Sequence, residues 1–141
     1  RGFIKDEVSQ NALKEIFSII TDKNRKGSIL WHCSVGKDRC GITSAIFLKL
    51  MGFSDDIVYQ DYLESMKACN KEARRIYWMI RIFKRDKKLA EGVYSAFIAD
   101  KAYLDAAYDE INNLFGGWDN YLDFLGLTKN IRQWMQDNYL E

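Results

Sequence analysis

Proline is absent from this chain, against an ordinary share of about 5%. No pyrrolidine ring deletes an N–H or locks φ, so few breaks are forced and long helices are expected. Histidine occurs once and cysteine three times. No second His or Cys sits at ligand spacing, so no metal site is expected, and no other cofactor. An odd number of cysteines does not make a disulfide framework; it favours a reducing, cytoplasmic compartment or a reactive thiol. Neither charge dominates, with 21 basic residues against 20 acidic for a net of +1. That balance argues against a general nucleic-acid binder and against a binder of anionic membranes. Apolar runs are only a few residues long, so no transmembrane segment is expected. No charged-then-apolar leader opens the chain.

What is present reads as globular. Hydrophobic residues make up 48% and charged residues 29% of 141 residues, enough for one domain with a sizeable core. The chain opens on Arg1 and not on methionine, so residues upstream are expected.

Residues 6 to 22 read as a helix, with Val8, Ala12, Ile16 and Ile19 at helical spacing. The charged stretch from Asp22 to Gly27 stops it. Ser28-Ile29-Leu30-Trp31-His32 is a short apolar run without alternation, the pattern of a strand covered on both faces. Gly41 to Met51 is apolar nearly all round, a buried helix ended by Gly52. Ser54, with Asp55 and Asp56, starts a helix to about Asn70. A second is expected over residues 71 to 86, and a short piece at 93 to 98 after Gly92. Asp100 caps the next, with Leu104, Ala107, Ile111 and Leu114 on one face, as far as Gly116-Gly117. Trp118 to Phe124 makes a short helix. Thr128 opens the last, with Ile131, Trp134, Met135 and Tyr139 inward. One buried strand cannot stand alone, because its N–H and C=O groups need neighbours. The missing strands are therefore expected from upstream chain or from another subunit, making these residues the later part of an α/β domain.

Chemistry concentrates between the expected strand and the buried helix, in His32-Cys33-Ser34-Val35-Gly36-Lys37-Asp38-Arg39-Cys40-Gly41. Cys-x5-Arg alone is weak, arising by chance in roughly one chain in six at this composition. Its context gives it weight. Gly36 and Gly41 let backbone approach a ligand closely, and the loop leads into a helix N-terminus. Successive N–H groups there form an anion cradle, and the helix dipole adds roughly half a positive charge. Arg39 can hold two phosphate oxygens in its planar fork. The same field lowers a thiol, so Cys33 would be a thiolate nucleophile at neutral pH.

This loop resembles the signature of the cysteine-dependent protein tyrosine phosphatases. More narrowly it is similar to the branch whose loop reads HCTAGKDRTG and whose members act on phosphotyrosine, other phosphoproteins and phosphoinositides. Asp61-Tyr62-Leu63 matches that branch's DYLLSN segment. Residues 103 to 111, Gly116, Tyr121-Leu122 and Leu125-Gly126-Leu127 are similar to its C-terminal tail. The resemblance thus runs from about residue 28 onward, with a divergent middle. It implies a mostly parallel sheet flanked by helices, of which residues 1–141 would be mainly the helical C-terminal portion with one clear strand. The family's earlier strands would lie before Arg1.

The resemblance also implies roles. Cys33 would attack phosphorus and form a phosphocysteine that water hydrolyses. Arg39 and the amides of Ser34, Val35, Gly36, Lys37, Asp38 and Arg39 itself would stabilise the equatorial oxygens. Asp38 would protonate the leaving oxygen, with helix capping as its plainer role. Lys37 would add charge for a bulkier headgroup, or be a solvated loop lysine. Cys40 departs from the family's Thr or Ser and is a weaker donor, so hydrolysis of the intermediate should slow; it could also pair with Cys33 on oxidation. His32 would orient the loop. Asp61 would brace Arg39 or face solvent, and Cys69 has no evident role. Residues 76 to 83, apolar on more than one face and flanked by Arg74, Arg75, Arg81, Lys84 and Arg85, read as core packing, a helical lid or a subunit contact. Their basic flank would suit a lipid headgroup or simply face solvent.

The function expected is hydrolysis of phosphotyrosine or a related phosphomonoester, on a phosphoprotein or a phosphoinositide. The alternatives are a phosphate-binding module of the same fold without turnover, and a self-associating helical fragment.

Overall fold

A computed structural model describes residues 2–34, 36–98 and 100–140. Among them it contains eight helices: α1 (Gly2–Lys5), α2 (Glu7–Ile20), α3 (Asp38–Leu50), α4 (Asp55–Phe83), α5 (Lys87–Phe97), α6 (Lys101–Phe115), α7 (Trp118–Phe124) and α8 (Lys129–Tyr139). No strand occurs among the described residues. The expected α/β architecture, with a parallel sheet and a strand at residues 28–32, is therefore corrected: the chain is a helical assembly. A ladder needs a partner edge, and none lies beside this stretch. Its apolar side chains are used differently, since Ile29 and Trp31 pack on the helical core. The Trp31 indole donates to Ser44 Oγ over 3.4 Å and its ring lies against Phe47 of α3.

Local chemistry sets most of the helix ends. Asp6 accepts from Ser9 N at the head of α2, Asp86 from Leu89 N at α5, and Asp100 from Ala102 N at α6, each satisfying an orphan N–H. Gly52 and Gly116 take the left-handed turn that follows α3 and ends α6, at φ +82° and +75°. Ser54 and Thr128 start their helices in extended backbone, but without a side-chain cap bond.

Several expectations differ in detail, among them Leu114 and Tyr139, expected on inward faces but exposed. Residues 55 to 83 form one 29-residue helix where two were expected, because Asn70 and Lys71 break no backbone bond and α5 packs along the distal half. Gly92 lies inside α5 without interrupting it; an isolated glycine costs only about 1 kcal/mol there. On α2 the buried face is Leu13, Phe17 and Ile20; Val8 and Ile19 point outward. Two stripes at helical spacing compete there, and the one with the larger side chains is buried.

The central element is α3. Ile42, Ile46 and Leu50 lie in one core with Ile4, Phe17, Ile111, Tyr121, Leu127 and Met135. A smaller cluster of Ala45, Val58, Tyr62 and Leu104 joins α3 to α4 and α6. Tyr59 donates to Asp105 over 2.6 Å and Tyr108 to Asp55 over 2.9 Å, fastening α4 to α6 twice. Further out α4 meets α5, with Ala73 and Ala90 fully buried and Tyr77 edge-on to Tyr94 at 5.8 Å.

Candidate phosphate-binding site

The loop of interest enters the domain ahead of α3, whose first turn carries Asp38, Arg39 and Cys40. The helix begins three residues earlier than its apolar run, so these groups sit at the positive end of a 13-residue helix dipole. Cys33 lies just outside that end. Its Sγ accepts a hydrogen bond from Gly36 N at 3.1 Å, which sets a backbone N–H on the sulfur. Gly36 provides that N–H from φ +77°, a region open to glycine and strained for a side chain.

Around the sulfur the loop is cross-braced. Arg39 Nη2 donates to Ser34 Oγ over 3.2 Å, which turns the guanidinium back across the loop. Cys40 faces Cys33. Its thiol is pushed up first by burial, then by its hydrogen bond and charge interaction with Cys33, against the lowering effect of the Cys33 backbone and of Arg39. Val35, expected to offer its amide, lies outside the described residues.

Lys37 takes a course the sequence did not indicate. It is 8% exposed and so is no solvated loop lysine. Its ammonium donates to the Ile98 carbonyl at 3.2 Å, lies 3.5 Å from Asp38 Oδ2 and sits over the Tyr103 ring. The loop is thereby tied to the backbone that follows α5 and to α6. The Asp38 carboxylate is largely exposed. It borders a pocket of about 190 Å³ with Phe3, Ile42, Tyr62, Tyr103 and Leu104. The Tyr62 hydroxyl is pushed up to about 12, by burial first and then by the charge of Asp38.

Gly41 serves packing. A Cβ there would come within 2.7 Å of Tyr62 Cε2, so its bare backbone accommodates α4 and not a ligand. His32 is exposed at the rim. Asp61 is exposed and forms no ion pair among the described residues, leaving Arg39 unbraced by it. Among those residues no group of three or more His, Cys, Asp or Glu is placed to hold a metal ion.

The network behind the site was not legible as such. Burial would raise the Asp55 carboxyl, but hydrogen bonds from Lys49 and Tyr108 and the lysine's charge hold it below its ordinary value. Asp105 is held down by Lys101 and Tyr59. Only the Lys101–Asp105 spacing of four residues signals any of this from sequence.

A cysteine at the mouth of a helix N-terminus, with an arginine in its first turn and a backbone amide on the sulfur, is an arrangement that can bind an oxyanion and attack it. Comparison with known proteins agrees: the tyrosine phosphatase family matches residues 1–141, and the chain belongs to that family. It is 29% identical over 138 residues to the triple specificity protein phosphatase PtpB of Mycobacterium tuberculosis, covering 92% of this chain and 49% of that protein. It is 30% identical over 96 residues to a Cupriavidus necator protein provisionally named a tyrosine-protein phosphatase, covering 67% of this chain and 34% of that one. The chain thus spans no more than about half the length of these relatives.

Proposed function

We propose that the protein hydrolyses phosphotyrosine or related phosphomonoesters through a phosphocysteine on Cys33. The observation that carries this reading is the Gly36 N–H on Cys33 Sγ at the head of α3, with Arg39 folded back over the same loop. The Cys33 thiolate attacks phosphorus in line, forming S–P as the ester P–O bond breaks. Asp38, exposed beside the site, gives its proton to the departing oxygen. Arg39 and the loop amides of Ser34, Gly36 and Lys37 hold the equatorial oxygens while charge redistributes. Water then attacks phosphorus and yields a proton to the Asp38 carboxylate. S–P breaks, inorganic phosphate leaves and the thiolate is restored. Cys40, as a protonated neighbour, stabilises that departing sulfur less well than a hydroxyl.

Lys37, engaged by Ile98 and Asp38, orders the loop. Phosphoprotein and phosphoinositide both remain within the substrate class, in keeping with the triple specificity in the name of the mycobacterial relative. A binding module without turnover is the second reading, favoured by Cys40 at the Thr or Ser position.

The test is phosphate release from a phenyl phosphate ester by the full-length protein. Cys33→Ser should abolish release and Arg39→Lys should cut it by about a hundredfold or more. Equal inactivity of wild type and Cys33→Ser on phosphotyrosine peptide, phosphoinositide and phenyl phosphate would make the protein a binder.

A further inference from the structure

The near-neutral charge of the whole chain conceals a segregation. Residues 71 to 88 hold eight Lys and Arg against Glu72 and Asp86, a local excess of +6, which leaves the remainder at −5. That stretch is the distal half of α4, the turn, and the start of α5. Both acids are already used: Glu72 lies 3.8 Å from Arg75, and Asp86 caps α5. Arg74, Arg81, Lys84, Arg85 and Lys88 form no ion pair among the described residues.

The same half-helix exposes its largest apolar groups. Trp78 is 61%, Ile82 65% and Phe83 79% exposed, with Met79 beside them. Residues 78 and 82, and 79 and 83, are each four apart and stack on one side of the helix. Ala73, Tyr77 and Ile80, turned the other way, are buried or half-buried. Ile82 and Phe83 thus point to solvent, while Trp78 is exposed at the edge of a cleft it shares with Tyr77 and with Tyr94 of α5. Arg74 and Arg75 lie one turn before this apolar ridge, Arg81 beside it, and Lys84 and Arg85 at its tip.

We propose that this outer ridge of α4 docks the protein on an anionic lipid bilayer. An indole, a phenyl ring and branched aliphatic groups can enter the acyl boundary while long basic stems reach back to acidic headgroups. Exposed apolar groups flanked by cations match an anionic bilayer, which offers an acidic surface over an apolar interior. Each basic group near such a surface adds roughly fivefold to binding. The global balance that argued against membrane affinity averages over this asymmetry. Trp78 lies 16 residues beyond Tyr62 on one helix, about 24 Å along its axis, so the ridge is apart from the turn of α4 that packs on α3. Docking there holds whether or not Cys33 turns over.

Co-sedimentation of the full-length protein with vesicles tests this, using phosphatidylcholine with and without about a third phosphatidylserine. Phosphatidylserine carries no phosphomonoester, so capture at the Cys33 loop cannot produce the signal. Binding should require phosphatidylserine and fall steeply with salt. Arg74→Glu/Arg75→Glu/Lys84→Glu cancels the local excess and should weaken it by about a hundredfold or more. Trp78→Ser/Phe83→Ser should weaken it with the charge intact; all five side chains are exposed, so the fold should survive, as circular dichroism would verify. Absence of binding to phosphatidylserine vesicles, equal binding to neutral ones, or a dimer that Trp78→Ser/Phe83→Ser dissociates would overturn the proposal.

Discussion

Gly41 of α3 and Tyr62 of α4 stand so close that a Cβ on the glycine would lie 2.7 Å from the ring's Cε2. The helix carrying Asp38 and Arg39 therefore sits against α4 at a distance only a bare backbone permits. Tyr62 is buried in a cluster with Leu104 and Val58, which a shift of its ring would disturb.

Gly41→Ala should accordingly destabilise the protein by about 1 to 2 kcal/mol, although alanine is the better helix former by up to about 1 kcal/mol. Denaturant unfolding checks this. Tyr62→Leu in the same chain should recover part of the loss, a coupling visible in a double-mutant cycle. Additive effects would mean that the two side chains do not meet.

Cys40→Thr should relieve slow breakdown of the intermediate. A hydroxyl in place of the half-buried thiol gives a better donor to the Cys33 sulfur, with an expected gain of about two- to tenfold in steady-state turnover. The pre-steady-state burst should shrink in parallel. Mild peroxide gives a second readout: it converts the Cys33 thiolate to a sulfenic acid, which the Cys40 thiol attacks with loss of water to form a disulfide. Peptide mapping should find the Cys33–Cys40 linkage. A Cys33 sulfonate alone would count against it.

Asp55 makes the α3, α4 and α6 packing sensitive to acid. Its carboxyl, held below 3.8 by Lys49 and Tyr108 against the effect of burial, binds its proton more weakly folded than unfolded. The resulting stability is complete above the unfolded value and disappears as pH falls through the folded one. Asp55→Asn should cost under about 1 kcal/mol near pH 7, since the carboxylate is largely exposed. That difference should vanish towards about pH 2. Unfolding curves at both pH values would show it, and a difference independent of pH would exclude the pair as its source.

Much of the helical layout follows from local grammar. Asp6, Asp86, Asp100, Gly52 and Gly116 punctuate helices through bonds made within a few residues, so their effect can be read along the chain. The order Cys33, Gly36, Asp38, Arg39 leading into an apolar run likewise marks an anion-binding helix start, because backbone N–H groups and the dipole belong to the helix itself. The family follows from that loop and agrees with the comparison across the chain.

What depended on distant partners was not legible. An apolar run at residues 28 to 32 is compatible with a strand or with docking onto helices, and only the presence of Ser44, Phe47 and the core beside Ile29 and Trp31 decided for docking. The inward turn of Lys37 required the Ile98 carbonyl, 61 residues away, to be brought within 3.2 Å. The outward turn of Ile82 and Phe83 required α5 to occupy another side of α4. Caps, turns and the helix dipole act over one or two turns and are written in neighbouring residues. Burial and pairing act between segments that only the folded chain makes neighbours.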